Sequence, residues 1–155
     1  MRCARWTPVI RLELEAQTRR ELEAHRSWWH VADASRVLSA ATPSELKRLV
    51  EQTPPGRLVV VDYFSPSCNG CRALFPKVKA LAAARADLDV VQVNVSTPEW
   101  QAFCVNMGIA TIPWFHLFRD GGLLEGFPAS LASLHKLHAQ IDLHSAPPAP
   151  AALVA

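Results

Sequence analysis

The chain has few cysteines, no long apolar run and no block of like charge. Four cysteines in 155 residues are too few for a scaffold held together by disulfides. No apolar run approaches the roughly 18 residues of a membrane span, and the strongest, residues 57–64, contains Asp62. The sixteen basic and fourteen acidic residues are spread along the chain, without the basic patch that nucleic-acid binding requires. We therefore expect a soluble protein that binds neither nucleic acid nor a membrane.

Glycine and proline are absent from residues 10–30, which predicts a charged helix. The first thirty residues are rich in arginine, as organelle transit peptides are, but their four glutamates argue against one. We assign residues 1–36 to a partly helical N-terminal extension that is a candidate targeting remnant. Residues 37–144 are predicted to form one globular domain, and the proline- and alanine-rich residues 145–155 a disordered tail.

The predicted domain alternates between helical and strand-like segments. The nearly continuous apolar run at residues 57–64 predicts a strand that is buried on both faces. Around it the sequence predicts a helix capped at Thr42, a helix at 68–86 containing Pro76, a strand at 88–95, a short helix at 98–107, a hairpin turning at 120–122 and a helix at 130–144. This order predicts an α/β fold, in which helices cover both faces of a central mixed β-sheet.

Cys68-Asn69-Gly70-Cys71 is the strongest functional motif in the sequence. Thiol-disulfide exchange requires one cysteine presented as a thiolate and a second close enough to resolve the mixed disulfide. Cys68 is predicted at the start of a helix, where unpaired backbone N–H groups and the helix dipole stabilise a thiolate. We therefore expect Cys68 to attack the target and Cys71, one turn further in, to resolve the mixed disulfide.

Asp62 is the second candidate catalytic residue. A carboxylate within an apolar strand is costly to ionise, so its pKa should be raised, which suits a proton acceptor. We interpret Asp62 as the group that takes the Cys71 proton, directly or through a water molecule. The alternative is a solvent-facing Asp62 on an edge strand.

Ile112-Pro113 precedes a predicted strand, at a place where a cis peptide bond can occur although most bonds to proline are trans. A proline there would leave neighbouring backbone groups free to pair with an extended target. Trp114 either shapes the target groove or packs in the core. The predicted target-binding residues are Ser67, Asn69, Gly70, Ile112, Pro113 and Trp114.

A pair of cysteines two residues apart can instead be half of a zinc site, and the chain has six histidines. A second such pair is missing, however, and the histidines are not expected to converge, so no metal site is predicted. Cys104 is interpreted as a buried apolar residue rather than a third redox centre. No nucleotide or flavin motif is present in the sequence, and no cofactor is expected.

These motifs together resemble the thioredoxin superfamily over roughly residues 46–141. The resemblance includes the acid six residues before Cys68, the proline eight residues after it, and Ile-Pro at the position of the cis-proline of the family. Ordinary thioredoxins have a tryptophan before the first cysteine and Gly-Pro between the pair, whereas this chain has Ser67 and Asn69-Gly70. The spacer without proline predicts a less reducing potential than that of ordinary thioredoxin.

The chain is most similar to the atypical Cys-His-rich thioredoxins, the thioredoxin-like 1/2 group of plant and algal chloroplasts. The shared features are residues 64–77, Gln92-Val93-Asn94, Trp28-Trp29 and Cys104. Phe75 and Ala110 replace histidines of that group, and its paired cysteines near residues 125–129 are absent. Regulatory behaviour that depends on those residues is therefore not implied for this chain.

The resemblance implies a thioredoxin fold and a monomeric thiol-disulfide oxidoreductase that acts on protein disulfides and dithiols, with 2-Cys peroxiredoxins among the candidate targets. It implies the chloroplast, specifically the stroma, with a cytoplasmic location as the alternative. Two other functions stay open at this point. One is a zinc-stabilised domain, and the other is a thioredoxin-fold binding module whose dithiol is idle.

Overall fold

The computed structural model describes residues 8–30 and 36–145. These residues fall into two compact units, of which the first ends at His30 and the second follows it. The first unit contains helix α1 (Pro8–Arg26), shorter at its C-terminal end than the predicted helix. Its side chains from residue 9 to residue 23 are exposed, and Arg11 pairs with Glu15 one turn away at 3.0 Å. No helix among the described residues is both long enough and apolar enough to span a membrane.

The second unit is a five-stranded sheet with helices on both faces. In chain order its elements are β1 (Val37–Ser39), α2 (Pro43–Gln52), β2 (Leu58–Phe64), α3 (Asn69–Ala84), β3 (Leu88–Asn94), α4 (Gln101–Asn106), β4 (Trp114–Arg119), β5 (Gly122–Pro128) and α5 (Leu134–Ser145). The strand order is β1-β3-β2-β4-β5, with β1, β3 and β2 parallel and β4 antiparallel to both of its neighbours. The predicted mixed α/β sheet is confirmed.

Strand β2 lies at the centre of the sheet, and all seven of its residues are buried. Because successive side chains point to opposite faces, Leu58 and Val60 pack beneath α3 and α5 in what we call the first core. Val59, Val61 and Tyr63 pack on the other face in the second core. The second core includes residues of α2 and the segment that leads into α4, notably Leu46, Val50 and Trp100.

Local sequence signals account for the ends of several elements. Thr42 caps α2, since its hydroxyl oxygen accepts the Glu45 N–H at 3.2 Å. The Glu45 carboxylate in turn accepts the Ala41 N–H at 2.7 Å, one residue earlier than in a standard capping box. The β4–β5 turn places Asp120 and Gly121 at positive φ, which glycine and short polar residues tolerate best.

The ends of the domain differ from the prediction. Strand β1 was not predicted from the sequence, and α5 continues through Ser145, the first residue assigned to the tail. Residues 146–155 and Cys3 lie outside the described residues.

Candidate active site

The two cysteines lie where β2 passes into α3. Ser65, Pro66 and Ser67 form the turn after β2, and Cys68 then serves as the N-cap of α3. The Cys68 N–H donates to the Ser65 carbonyl at 3.0 Å, which closes this turn. Cys68 and Cys71 are joined as a disulfide, with their Cα atoms 5.2 Å apart.

The two sulfurs have different surroundings. Cys68 is half-buried, and its Sγ accepts the Cys71 backbone N–H at 3.1 Å. Cys71 is only 2% exposed and lies in the first turn of α3. An approaching target therefore meets Cys68 first. Once the disulfide is reduced, the helix N-terminus favours a thiolate on Cys68 because an N–H group and the positive end of the helix dipole face it.

The Ile112–Pro113 peptide bond is cis, and it lies directly beside the disulfide. The Ile112 carbonyl oxygen is 4.0 Å from Cys68 Sγ. A Cβ placed on Gly70 would lie 3.7 Å from Pro113 Cδ, so a side chain at this position of the spacer would reach van der Waals contact with the proline ring. The fold thus brings together two motifs that are more than forty residues apart in the sequence.

Asp62 lies on the central strand, on the face of the first core, and is 3% exposed. Burial raises the pKa of its carboxyl to about 7. Its Oδ1 atom has no hydrogen-bond partner among the described residues. The alternative of a solvent-facing carboxylate on an edge strand is therefore wrong, and a carboxyl with this pKa can exchange protons near neutral pH.

Comparison with known proteins agrees with this geometry. Residues 37–142 match the family model for Thioredoxin. The chain belongs to the thioredoxin family. It is 30% identical over 133 residues to Thioredoxin-like 1-3, chloroplastic, of Arabidopsis thaliana, a match that covers 84% of this chain and 47% of that protein. It is 29% identical over 136 residues to Thioredoxin-like 2, chloroplastic, of Oryza sativa subsp. japonica, covering 81% and 62% respectively.

Solved thioredoxins share the fold. Thioredoxin f2 of Chlamydomonas reinhardtii has a TM-score of 0.64 and 27% identity, and the match covers 72% of this chain and 99% of that one. Fasciola hepatica thioredoxin has a TM-score of 0.62 and 30% identity, covering 69% and 98%. The match covers nearly all of each of these two structures, whereas the chain spans about half the length of the Arabidopsis relative.

In this thioredoxin-family domain, Trp114 follows the cis-proline and packs against the second core. Its ring meets His116 edge to face, with the ring centroids 6.4 Å apart. Asp62 pairs in register with Phe115 rather than Trp114, so Trp114 and Asp62 lie on opposite faces of the sheet. Trp114 is half-buried, and its predicted contact with a target stays a prediction. Ser67, Asn69 and Gly70 are exposed around Cys68.

A buried Tyr63–His116 pair was not predicted from the sequence. The Tyr63 hydroxyl and His116 Nδ1 are hydrogen-bonded at 2.9 Å in the second core, and His116 is 1% exposed. Burial lowers the pKa of His116 to about 4 and raises that of Tyr63, so both are neutral at pH 7. The sequence feature that could have indicated this pair is a histidine inside a largely apolar predicted strand.

Within residues 8–30 and 36–145, no three His, Cys, Asp or Glu side chains are grouped so as to hold a metal ion. Cys104 is a free thiol, half-buried against the second core, and burial raises its pKa. At neutral pH it is therefore protonated and is a weak nucleophile compared with a thiolate at a helix N-terminus.

Proposed function

We propose that this protein is a thiol-disulfide oxidoreductase that exchanges disulfides with target proteins through Cys68 and Cys71. The main support is the asymmetry of the pair, in which the accessible Sγ of Cys68 accepts a backbone N–H at the start of α3 while Cys71 is buried. This is the arrangement that nucleophilic attack followed by resolution requires. The family match supports the same chemistry.

In the reducing direction, the Cys68 thiolate attacks one sulfur of the target disulfide. A Cys68–target disulfide forms, and the other target sulfur leaves as a thiolate. Cys71 then loses its proton and attacks Cys68 Sγ, which forms the Cys68–Cys71 disulfide and releases the second target thiolate. Two electrons pass to the target, and the reverse sequence oxidises a target dithiol.

Asp62 is proposed as the acceptor of the Cys71 proton, directly or through a water molecule. With a pKa of about 7, roughly half of the carboxyl groups are ionised at neutral pH and ready to accept a proton. An ordinary exposed aspartate would be ionised but too weak a base to take a proton from a thiol efficiently.

The target is proposed to lie along Ile112 and Pro113 in an extended conformation. The backbone beside a cis-proline next to Cys68 can pair with the residues that flank the target cysteine. Ser67, Asn69 and Gly70 form the proposed opposite rim because they are exposed around Cys68. Trp114 supports the start of β4 from the second core in this arrangement.

We place the protein in the chloroplast stroma and include 2-Cys peroxiredoxins among its targets. The location is supported by the names of the curated relatives, which are chloroplastic. The peroxiredoxin proposal comes from the resemblance to the atypical thioredoxins. Import into isolated chloroplasts, followed by fractionation, tests the location, and recovery of the protein outside the stroma would contradict it.

Trapping tests the activity. Reduced Cys71→Ser should accumulate mixed disulfides with protein targets through Cys68, because the resolving thiol is missing. The double variant Cys68→Ser/Cys71→Ser is the matched control and should trap none. Equal capture by both variants would indicate binding without exchange and would overturn the proposal.

A further inference from the structure

A buried hydrogen bond joins two titratable side chains that the disulfide chemistry does not use. The Tyr63 hydroxyl and His116 Nδ1 are 2.9 Å apart, and the two residues are 0% and 1% exposed. Both are neutral at pH 7, because burial raises the pKa of Tyr63 and lowers that of His116 to about 4. The chain contains one tyrosine, so any signal from a tyrosine side chain comes from Tyr63.

The direction of this hydrogen bond follows from the available partners. A phenol donates one hydrogen bond, and a neutral imidazole has one N–H group and one acceptor nitrogen. Among the described residues, His116 Nδ1 is the one hydrogen-bond partner of the Tyr63 hydroxyl. If Nδ1 carried the hydrogen, the phenolic O–H would be buried without an acceptor, which is costly. The Tyr63 hydroxyl therefore donates to His116 Nδ1, and the imidazole hydrogen is on Nε2.

This direction suits the loss of one electron from Tyr63. A phenol becomes a strong acid when it loses an electron, so it must pass its proton to a base as the electron leaves. His116 Nδ1 is in place to take that proton along the 2.9 Å hydrogen bond. With a pKa of about 4, His116 is a weak base for a histidine, but it is far more basic than an oxidised phenol. The products are a neutral tyrosyl radical and an imidazolium.

Aromatic rings connect Tyr63 to the surface. The rings of Tyr63 and His116 meet edge to face with their centroids 5.0 Å apart, and His116 meets Trp114 at 6.4 Å. Trp114 is half-buried, so an oxidant in solution can reach part of its ring. Its Nε1 atom is buried without a hydrogen-bond partner among the described residues. Because none of them can accept the N–H proton, an oxidised Trp114 stays a radical cation and takes an electron readily from a neighbour.

We propose that Tyr63 and His116 form a one-electron redox site, separate from the two-electron dithiol, that diffusible oxidising radicals reach through Trp114. The radical takes one electron from Trp114, which becomes a radical cation. Trp114 then takes one electron from Tyr63, and the phenolic proton moves to His116 Nδ1. The site ends with a neutral Trp114, a Tyr63 phenoxyl radical and a protonated His116, so one electron has left the protein and its charge has risen by one.

Pulse radiolysis of the disulfide form tests this site. The probe is the azide radical, a one-electron oxidant of accessible indole rings, and the disulfide offers it no active-site thiol. We expect the absorbance of tryptophan radicals to decay as that of the tyrosyl radical rises, at a rate independent of protein concentration. The absence of a tyrosyl radical would overturn the proposal.

Two tryptophan variants test the route. Trp114→Phe should lose most of the tyrosyl radical, because it removes the accessible ring. Trp100→Phe is the matched control, since Trp100 is fully buried although its ring centroid is 6.5 Å from that of Tyr63, and it should keep the wild-type yield. The other tryptophans contribute the same background to both variants. Equal yields of tyrosyl radical in the two variants would overturn the proposal.

His116→Gln tests the proton acceptor. The side-chain carbonyl of glutamine can still accept the hydrogen bond from Tyr63, but it is too weak a base to take the proton. The rate at which the tyrosyl radical forms should fall by at least about a hundredfold, the lower end of what a positioned proton acceptor contributes. An unchanged rate would overturn the role of His116. If this variant does not fold, the wild-type protein in D2O decides, since formation coupled to proton transfer must be slower there than in H2O, and equal rates would overturn the proposal.

Cys104 is the other oxidisable side chain near Tyr63. Burial and, to a smaller extent, Cys104 raise the pKa of Tyr63, so the thiol lies close to the phenol. Cys104→Ser should form the tyrosyl radical in at least the wild-type yield, because the thiol can only compete for the site. Loss of the radical in this variant would make the thiol an obligatory carrier and would overturn the direct route from Tyr63 to Trp114. None of these measurements requires a target or disulfide exchange, so their outcome is independent of the proposed function.

Discussion

Replacing Asp62 by Asn in the oxidised protein should remove a loss of stability that the wild-type protein undergoes as the pH rises to neutral. The wild-type carboxyl has a pKa of about 7 in the folded protein against an ordinary 3.8, because burial opposes its ionisation. A raised pKa in the folded state means that the contribution to stability is fully present below pH 3.8 and is lost as the pH rises through 7. Asparagine has a similar shape and does not ionise.

The size of the effect follows from the two pKa values. A difference of one pKa unit is worth about 1.4 kcal/mol, so the wild-type protein should lose about 4 kcal/mol of stability between pH 3.8 and pH 8 through this group alone. Most of the loss should fall between pH 4 and pH 7. The other titrating groups are present in both proteins and cancel in the difference.

Urea unfolding at a series of pH values measures the prediction. The free energy of unfolding of Asp62→Asn relative to wild type should rise steadily from pH 4 to pH 7 and level off above pH 8. A constant offset at all pH values is acceptable, since the buried amide has its own solvation cost. If the difference changes by less than about 1 kcal/mol over this range, the carboxyl is not held in a desolvated site and the reasoning fails.

Three further predictions concern the second core and the spacer. His116 has a pKa of about 4 against an ordinary 6.5, so this histidine alone should lower the stability by about 3 kcal/mol as the pH drops from 6.5 to 4, a contribution opposite in sign to that of Asp62. The free energy of unfolding of His116→Leu relative to wild type, measured against pH, should show this loss as a rising difference toward acid pH. Gly126→Ala should lower the free energy of unfolding by about 1 to 3 kcal/mol, because the new Cβ would lie 2.8 Å from His116 Cδ2. Gly70→Ala is the control, since its Cβ would lie at an ordinary 3.7 Å from Pro113 Cδ. Equal melting temperatures for the two variants would contradict this prediction. The dithiol should be less reducing than thioredoxin, with a potential above about −270 mV by equilibration with glutathione, and a value at or below that level would refute the role assigned to Asn69-Gly70.

The sequence predicts best where a single local pattern decides the structure. The apolar run of β2 requires burial on both faces, and it forms the central strand. The start of α3 follows from a turn sequence before Cys68, and the hairpin from glycines after Asp120. In each case, neighbouring residues supply most of the necessary information.

Features that depend on pairing between distant segments were harder to predict. Strand β1 has three residues and is defined by its register with β3, so no apolar run in its own sequence predicts it. The Tyr63–His116 pair requires knowing that β2 and β4 are neighbours and which faces they share. The contact between Gln92 and Ser39 depends in the same way on the order of the strands.

The position of Trp114 shows the same limit. From the sequence, a tryptophan beside the proline could face the target groove or the core. The register pairs Trp114 with Tyr63, a residue of the second core, and this pairing decides its face. The cis state of the preceding Ile112–Pro113 bond likewise required the structure, since most bonds to proline are trans.

A redox titration of the purified protein tests the central proposal most directly. The protein is equilibrated with defined ratios of reduced to oxidised dithiothreitol, and its free thiols are counted by alkylation and mass, with Cys68→Ser as the control. We predict a single two-electron couple that involves Cys68 and Cys71 and that is absent in Cys68→Ser. Failure of these cysteines to form a disulfide at any ratio, or their alkylation only after a metal chelator is added, would contradict the account.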